Sequence, residues 1–222
     1  PEDELNIGEV VLIAKNETGY KNLLTLTSEI SNNTNFEKFI SYNKLVNYHD
    51  GIILLTGGVE KGFIGNPASI QNVNLVNKRL NLLKNLFEDN LYIELQRHGL
   101  KSQIKAEQVL LESALRFDLP LVATNDCYFE TSDKFNAHQV LTCIDKGLTI
   151  SSSNRRFFTE EHYIKDSQSM ISLFKDIPEA IENTVLIAKR CSFFVKPHNP
   201  ILPKYPGLSN ISESNYLFKI SE

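Results

Sequence analysis

Four short apolar runs set the limits on what this chain can fold into: Val10–Ala14, Ile52–Leu55, Leu91–Leu95 (broken only by Glu94) and Leu119–Ala123. Each is too short for a buried helix, and turn residues bound them. Such runs read as strands covered on both faces, the habit of parallel sheets. Between them the apolar spacing changes to three and four. Thr18 is placed to cap a helix carrying Leu23, Leu26 and Ile30. Pro67 suits the start of a helix on which Ile70, Val73, Val76, Leu80, Leu83 and Phe87 form one stripe. Val109, Leu110, Ala114 and Phe117 repeat the pattern. Strand–helix–strand alternation implies right-handed crossovers and an α/β fold built on a parallel sheet or barrel.

Beyond residue 130 the strands give way to helices. Phe135, His138, Leu141 and Ile144 predict one, and Met170, Leu173 and Phe174 a second, short one. Pro178 opens a third, with Ile181, Val185 and Ala188 as its apolar face and Lys189 and Arg190 at its C-terminal end, where cations suit the helix dipole. From Lys196 to Gly207 four prolines read as an extended linker. With 41% apolar and 23% charged residues the chain has material for a proper core. Its net charge of -4 argues against a polyanion-binding bulk surface. No apolar run approaches a membrane span, and the acidic start, Pro1 to Glu4, is not a signal peptide. Three cysteines, Cys127, Cys143 and Cys191, with no Cys-x-x-Cys pair, read as reduced thiols of a cytoplasmic protein. The abrupt start and the ending on Ile220-Ser221-Glu222 suggest a piece of a longer protein.

Two strand ends carry the chemistry-bearing residues. Thr124-Asn125-Asp126-Cys127-Tyr128 follows the fourth strand, and parallel strands aim their C-terminal ends at active sites. Asp126 reads there either as a metal ligand or base, or as a turn cap beside Asn125. Glu94 to Gly99 ends the third strand, and His98 reads as an acid/base group or a surface hydrogen-bonding residue. Thr56-Gly57-Gly58, with Gly62 and Gly65, is a turn with room for close backbone approach, and neither glycine-rich phosphate motif is present. His138 reads as a packing residue and His162 as a first-turn residue behind Thr159. His49 and His198 lack partners at ligand spacing, and Cys127 lacks a neighbouring base. Composition and spacing alone name no reaction.

Taken in order, the segments resemble one family. Asn16–Leu23, Gly51–Gly58, Tyr92–Gly99, Leu121–Asp126, Asp133–Gly147, Pro178–Cys191 and Leu202–Pro206 are similar to successive pieces of the PHP (polymerase and histidinol phosphatase) domain of bacterial DNA polymerase III alpha subunits. The resemblance implies a distorted TIM-like βα barrel of parallel strands, then helices and a proline-rich connection. Residues 1–195 would be the later part of the PHP domain, and 196–222 the start of the connection toward the polymerase palm. The family's opening strands, with a His-x-His pair, and the polymerase's catalytic aspartates are not in this sequence.

The resemblance also implies a metal cluster at the barrel mouth, used by some members for 3′–5′ exonuclease proofreading. Four cluster positions fall here. A His position holds Glu9, a Cys position holds Gly58, and an Asp-x-His motif reads Asp126 and Tyr128. Glycine offers no ligand, and a neutral phenol is a poor one. The expectation is a vestigial site with Asp126 its one matching ligand and His98 and Asn125 nearby in the cleft. The segment is expected to hold no metal or cofactor and no active site of its own, while the full-length polymerase, a DNA-directed nucleotidyltransferase, uses Mg²⁺. Expected partners are the rest of the alpha subunit, a proofreading exonuclease subunit, and DNA through the full-length protein. The alternative is a PHP phosphoesterase or exonuclease with a reduced site at Asp126, His98 and Glu9.

Overall fold

In a computed structural model, residues 7–32, 39–150, 158–197, 199–200, 202, 205–206 and 211–221 are described. The acidic residues 1–6, His198 and much of the proline-rich stretch, including Pro203 and Gly207, lie outside them. The fold is mixed α/β. One four-stranded sheet runs in the order β1 (Val11–Ala14), β2 (Ile52–Leu55), β3 (Leu91–Gln96), β4 (Leu121–Thr124). The four apolar runs are thus the four strands.

β2, β3 and β4 are parallel, with Leu54 opposite Leu91 and Ile93 opposite Leu121. β1 corrects the all-parallel expectation: it pairs antiparallel with β2, Val11 opposite Leu55 and Ala14 opposite Ile52. The cause lies in the connection. Two helices, α1 (Glu17–Asn32) and α2 (Tyr42–Asn47), stand between these strands where one was expected. The chain therefore re-enters the sheet beside the end it left: Lys15 N donates to Gly51 O at 2.8 Å. Gly51 has φ +71, and a Cβ on Gly19 would lie 1.9 Å from Gly51 O, so two glycines let the α1 start press on the turn into β2. Asn16, not Thr18, caps α1, its Oδ1 accepting from Gly19 N at 3.0 Å.

On one sheet face Ile52, Leu54, Leu91, Ile93, Leu95, Leu121 and Ala123 form the main core. It is covered by Leu26 of α1, by Val76, Leu80, Leu83 and Phe87 of α4 (Val73–Phe87), and by Ala106, Val109, Leu110 and Ala114 of α5 (Lys101–Phe117). The single helix expected from Pro67 onward is two. α3 (Gly65–Ser69) stops at Gln71, which has φ +60, and the side chain of Asn72 caps α4 from Leu75 N. The opposite face buries Ile53, Leu55, Tyr92 and Val122.

α8 (Pro178–Arg190) begins at Pro178 as expected and covers that second face with Ile187. Its apolar face is rotated from the expected one, since Val185 is exposed and Ala180 and Ile187 are buried. A polar contact sets the rotation: Asn183 Nδ2 donates to Leu121 O at 2.8 Å, satisfying a carbonyl on the edge strand. α6 (Phe135–Asp145), α7 (Ser167–Leu173) and α9 (Glu213–Ser221) complete the helices among the described residues. On α6, Leu141 and Ile144 are 64% and 70% exposed, so its expected stripe is not buried within this chain, and Cys143 is the buried residue.

Gly19→Ala tests the β1–β2 connection. Its Cβ meets backbone that cannot swing aside, so stability should fall by about 2 kcal/mol or more, as for other strained or overpacked sites. For a chain of this size that is a drop of roughly 4–8 °C in Tm. An unchanged melting curve would show that the two glycines do not set this geometry.

Candidate functional site

The C-terminal ends of β2, β3 and β4 open into a cavity of about 200 Å³. Glu9, Gly58, Asp126 and Tyr128, far apart in sequence, all line it, together with Glu60, Glu94, Gln96, Phe158 and His162. The turn after β2 forms one wall. Gly57 has φ +80, and a Cβ there would meet Glu9 O at 2.4 Å; one on Gly62 would meet Gly58 O at 2.1 Å. The glycines serve close backbone packing, as the sequence suggests.

β3 supplies the floor. Alternation along the strand sends Leu91, Ile93 and Leu95 to the main core and Tyr92, Glu94 and Gln96 to the cavity side. Glu94 is 5% exposed. Its Oε2 accepts from Gly57 N at 3.1 Å, and its Oε1 accepts from Gln96 Nε2 at 3.0 Å and from the Thr124 hydroxyl at 2.5 Å. Thr56 Oγ1 accepts from Glu94 N at 3.0 Å. One buried carboxylate thereby joins the ends of three strands, and neutral donors satisfy it.

His98, read from sequence as an acid/base group or a surface hydrogen-bonding residue near the cleft, is buried. It is 1% exposed, and both ring nitrogens are engaged. Gln103 Oε1 accepts from His98 N at 2.7 Å, which turns the amide nitrogen toward Nδ1 at 2.8 Å. Asn125 Nδ2 donates to Tyr163 O at 2.7 Å, which turns its Oδ1 toward Nε2 at 2.8 Å. Two anchored amides thus hold a neutral imidazole between them, and Asp126 N also lies 3.3 Å from Nε2. Protonation would set an N–H against the Gln103 amide hydrogens. Burial, and then the neighbouring His162, push its pKa down to about 4, against the pull of the Asn125 hydrogen bond. Asn125 is a tie between the β4 end and the 158–166 segment, and it does not line the cavity.

His162 is one of the cavity residues not singled out from sequence. It belongs to an irregular segment and not to a helix, stacks on His98 with ring centroids 4.0 Å apart, and its backbone carbonyl accepts from Tyr128 N at 2.9 Å. Burial holds its pKa below the usual range. Tyr128 packs against Phe158 at 4.4 Å and His138 at 5.7 Å, so His138 is the packing residue expected. Glu9 sits at the exposed rim, 3.4 Å from Lys61 Nζ. His49 bonds Val46 O at 2.7 Å, and the Cys127 thiol contacts Asn125 and Tyr163 O.

A metal cluster at this cavity, as the family resemblance implies, does not fit these residues. Position 58 has no side chain, and a Cβ there would lie 2.5 Å from Gln96 Oε1. The Tyr128 ring is packed among other rings, and among the described residues no three His, Cys, Asp or Glu side chains come together in a metal-holding group.

Among known proteins, residues 2–98 match the PHP domain family. The chain is 39% identical over 210 residues to the DNA polymerase III subunit alpha of Caulobacter vibrioides, covering 94% of this chain and 18% of that protein. The corresponding subunit of Haemophilus influenzae is 34% identical over 216 residues (96% and 18%), and that of Rickettsia bellii 37% over 214 (95% and 18%). The chain therefore spans about a fifth of the length of these relatives.

His98 makes stability depend on pH. The unfolded chain takes up the proton near the usual histidine value of about 6.5, and the folded chain only near 4. The contribution is whole above about 6.5 and is lost as pH falls toward 4, amounting to roughly 3 kcal/mol at about 1.4 kcal/mol per unit. The depressed pKa of His162 adds in the same direction. Denaturant unfolding at pH 7 and pH 4.5 should show this loss, and His98→Gln should shrink the difference between the two pH values. An equal pH dependence in wild type and variant would exclude His98 as its source. Residues 2–98 match the PHP domain family, and nearly the whole chain is similar to one segment of these DNA polymerase III alpha subunits.

Proposed function

We propose that this chain is the PHP portion of a replicative DNA polymerase alpha subunit and acts there as a non-catalytic scaffold. One observation carries the scaffold reading: the four positions assigned to a metal cluster by family resemblance line a single cavity, yet three of them hold Glu9, Gly58 and Tyr128. Glycine supplies no donor, a packed phenol a poor one, and Glu9 stands at the rim beside Lys61. In this reading the sheet and its helices belong to a distorted TIM-like barrel. Residues 1–195 are PHP domain, and 196–222 lead toward the palm. Glu9, Gly58, Asp126 and Tyr128 are vestigial metal positions.

The polymerase activity, its Mg²⁺ and its DNA contact belong in this reading to the full-length subunit, working in the cytoplasm. The scaffold braces the rest of that subunit and docks a separate proofreading exonuclease. No helix among the described residues is long and apolar enough to cross a membrane. The rival reading, a phosphoesterase or exonuclease using Asp126, His98 and Glu9, is weakened at His98, whose two ring nitrogens are both held by amides.

The full-length subunit, purified free of any exonuclease subunit, should degrade no 3′ end above background in Zn²⁺ or Mn²⁺. Tyr128→His should leave that background unchanged while removing packing against Phe158, a cost of about 1–3 kcal/mol for a partly buried ring. Metal-dependent 3′–5′ degradation by the wild type or by this single variant would overturn the scaffold reading.

A further inference from the structure

We infer that Gln96 plugs this cavity: its carboxamide fills the place a side chain at position 58 would take and supplies a hydrogen-bond donor to the buried Glu94. The inference deepens the scaffold reading and rests on it. It begins with steric exclusion. An ideal Cβ on Gly58 lies 2.5 Å from Gln96 Oε1, 3.1 Å from Cδ and 3.3 Å from Nε2, so all three nearest atoms belong to this one amide. Gly58 is not in the left-handed region, so its backbone alone does not demand glycine. What crowds position 58 is the amide, which could move aside only by giving up its hydrogen bonds.

The second part is charge. Glu94 lies on the cavity side of β3, nearly sealed from solvent, and a buried carboxylate needs donors on both oxygens. Gly57 N–H serves one oxygen, while the Gln96 amide and the Thr124 hydroxyl serve the other. Gln96 Nε2 also lies 3.3 Å from Thr124 Oγ1, whose hydroxyl proton is directed to Glu94, so the amide donates there as well. The carboxamide thus reaches from Glu94 to the end of β4 while its oxygen faces Gly58 across the end of β2. The three strand ends are tied by a closed set of neutral donors and one anion. Swinging the amide away to admit a side chain at 58 breaks its bonds to Glu94 and Thr124 together. A bare residue 58 and glutamine at 96 are therefore one arrangement, and restoring a ligand at 58 alone does not rebuild a metal site.

The test uses the full-length alpha subunit and hydrogen exchange read by mass spectrometry over peptides spanning 55–60 and 92–97. Gly58→Ala adds only the Cβ, and Gln96→Ala removes the amide. Gly58→Ala should speed exchange at Gly57 and Glu94 several-fold by displacing Gln96, and Gln96→Ala should do so to a similar extent. The double variant should exchange no faster than Gln96→Ala alone, because the added methyl then has nothing to displace. Unchanged exchange in Gly58→Ala, or effects that multiply in the double variant, would overturn the plug. Elemental analysis of the wild-type subunit after dialysis against Zn²⁺ tests the reading beneath it. Well under one zinc per chain attributable to this domain is expected, judged against a variant with Asp126→Ala. Zinc lost on that substitution would sink the scaffold reading itself, whatever the exchange data show.

Discussion

Ile52, Leu54, Leu91 and Ile93 point to one side of the sheet and Ile53, Leu55, Tyr92 and Val122 to the other, and all are buried. A sheet buried on both faces must have two covers, and the order of elements follows from that need. α1, α4 and α5 close one side with a large apolar cluster, and α8 adds Ala180 to that cluster and Ile187 to the other side. Clamps at the strand ends hold the covers in place. Arg97, just past β3, forms paired hydrogen bonds with Glu107 of α5 and with Asp176 ahead of α8, and lies over the Phe174 ring. Arg190, at the end of α8, reaches Asp89 O and the Tyr92 hydroxyl at the start of β3. The bidentate guanidinium–carboxylate contacts of Arg97 fix direction as well as distance.

The two faces differ in chemistry, and the site follows from that difference. The main-core face is apolar along the whole length of β3. The other face is apolar at Tyr92 and polar at Glu94 and Gln96, where the sheet runs out toward solvent. An anion placed there without donors would cost several kcal/mol. Its donors come from three different strand ends, so the carboxylate acts as a joint and the polar network forms only if the parallel register of β2, β3 and β4 is correct. Register and site are in this sense the same constraint.

Much of this is readable from sequence, because strands and helices declare themselves by period. The four runs, the α5 stripe and Pro178 at the head of α8 need only local information. What escapes is decided by contacts between distant residues. The direction of β1 depends on Gly19 meeting Gly51, and an apolar run reads alike in either direction. The break between α3 and α4 depends on Gln71, whose side chain donates to Lys105 O at 2.7 Å. The rotation of α8 depends on one asparagine reaching a strand edge, which outweighs the apolar pattern of Val185 and Ala188. At the site, the four positions singled out by family order, Glu9, Gly58, Asp126 and Tyr128, line one cavity. His162 escaped because its segment has no period to read. Gln96 carried a signal that was there to find: with Glu94 it makes two polar residues at a spacing of two in an otherwise buried strand, which marks a polar patch on one face.

In the scaffold reading, the same division lets the proposed metal positions change while the sheet stays. The apolar bulk that holds β2, β3 and β4 in register lies on the helix-covered face, away from Gly58, Asp126 and Tyr128. Replacing a ligand at a strand end leaves that cluster untouched and alters only the polar ends of the strands. Those ends still need donors for Glu94 and still need the cavity walled. Amide, hydroxyl and backbone N–H meet the first need, and the rings of Tyr128, Phe158 and His162 meet the second. In the scaffold reading proposed above, a strand-end pocket of this kind would lose its metal ligands at little cost to the fold, provided its buried anion is satisfied in the same exchange.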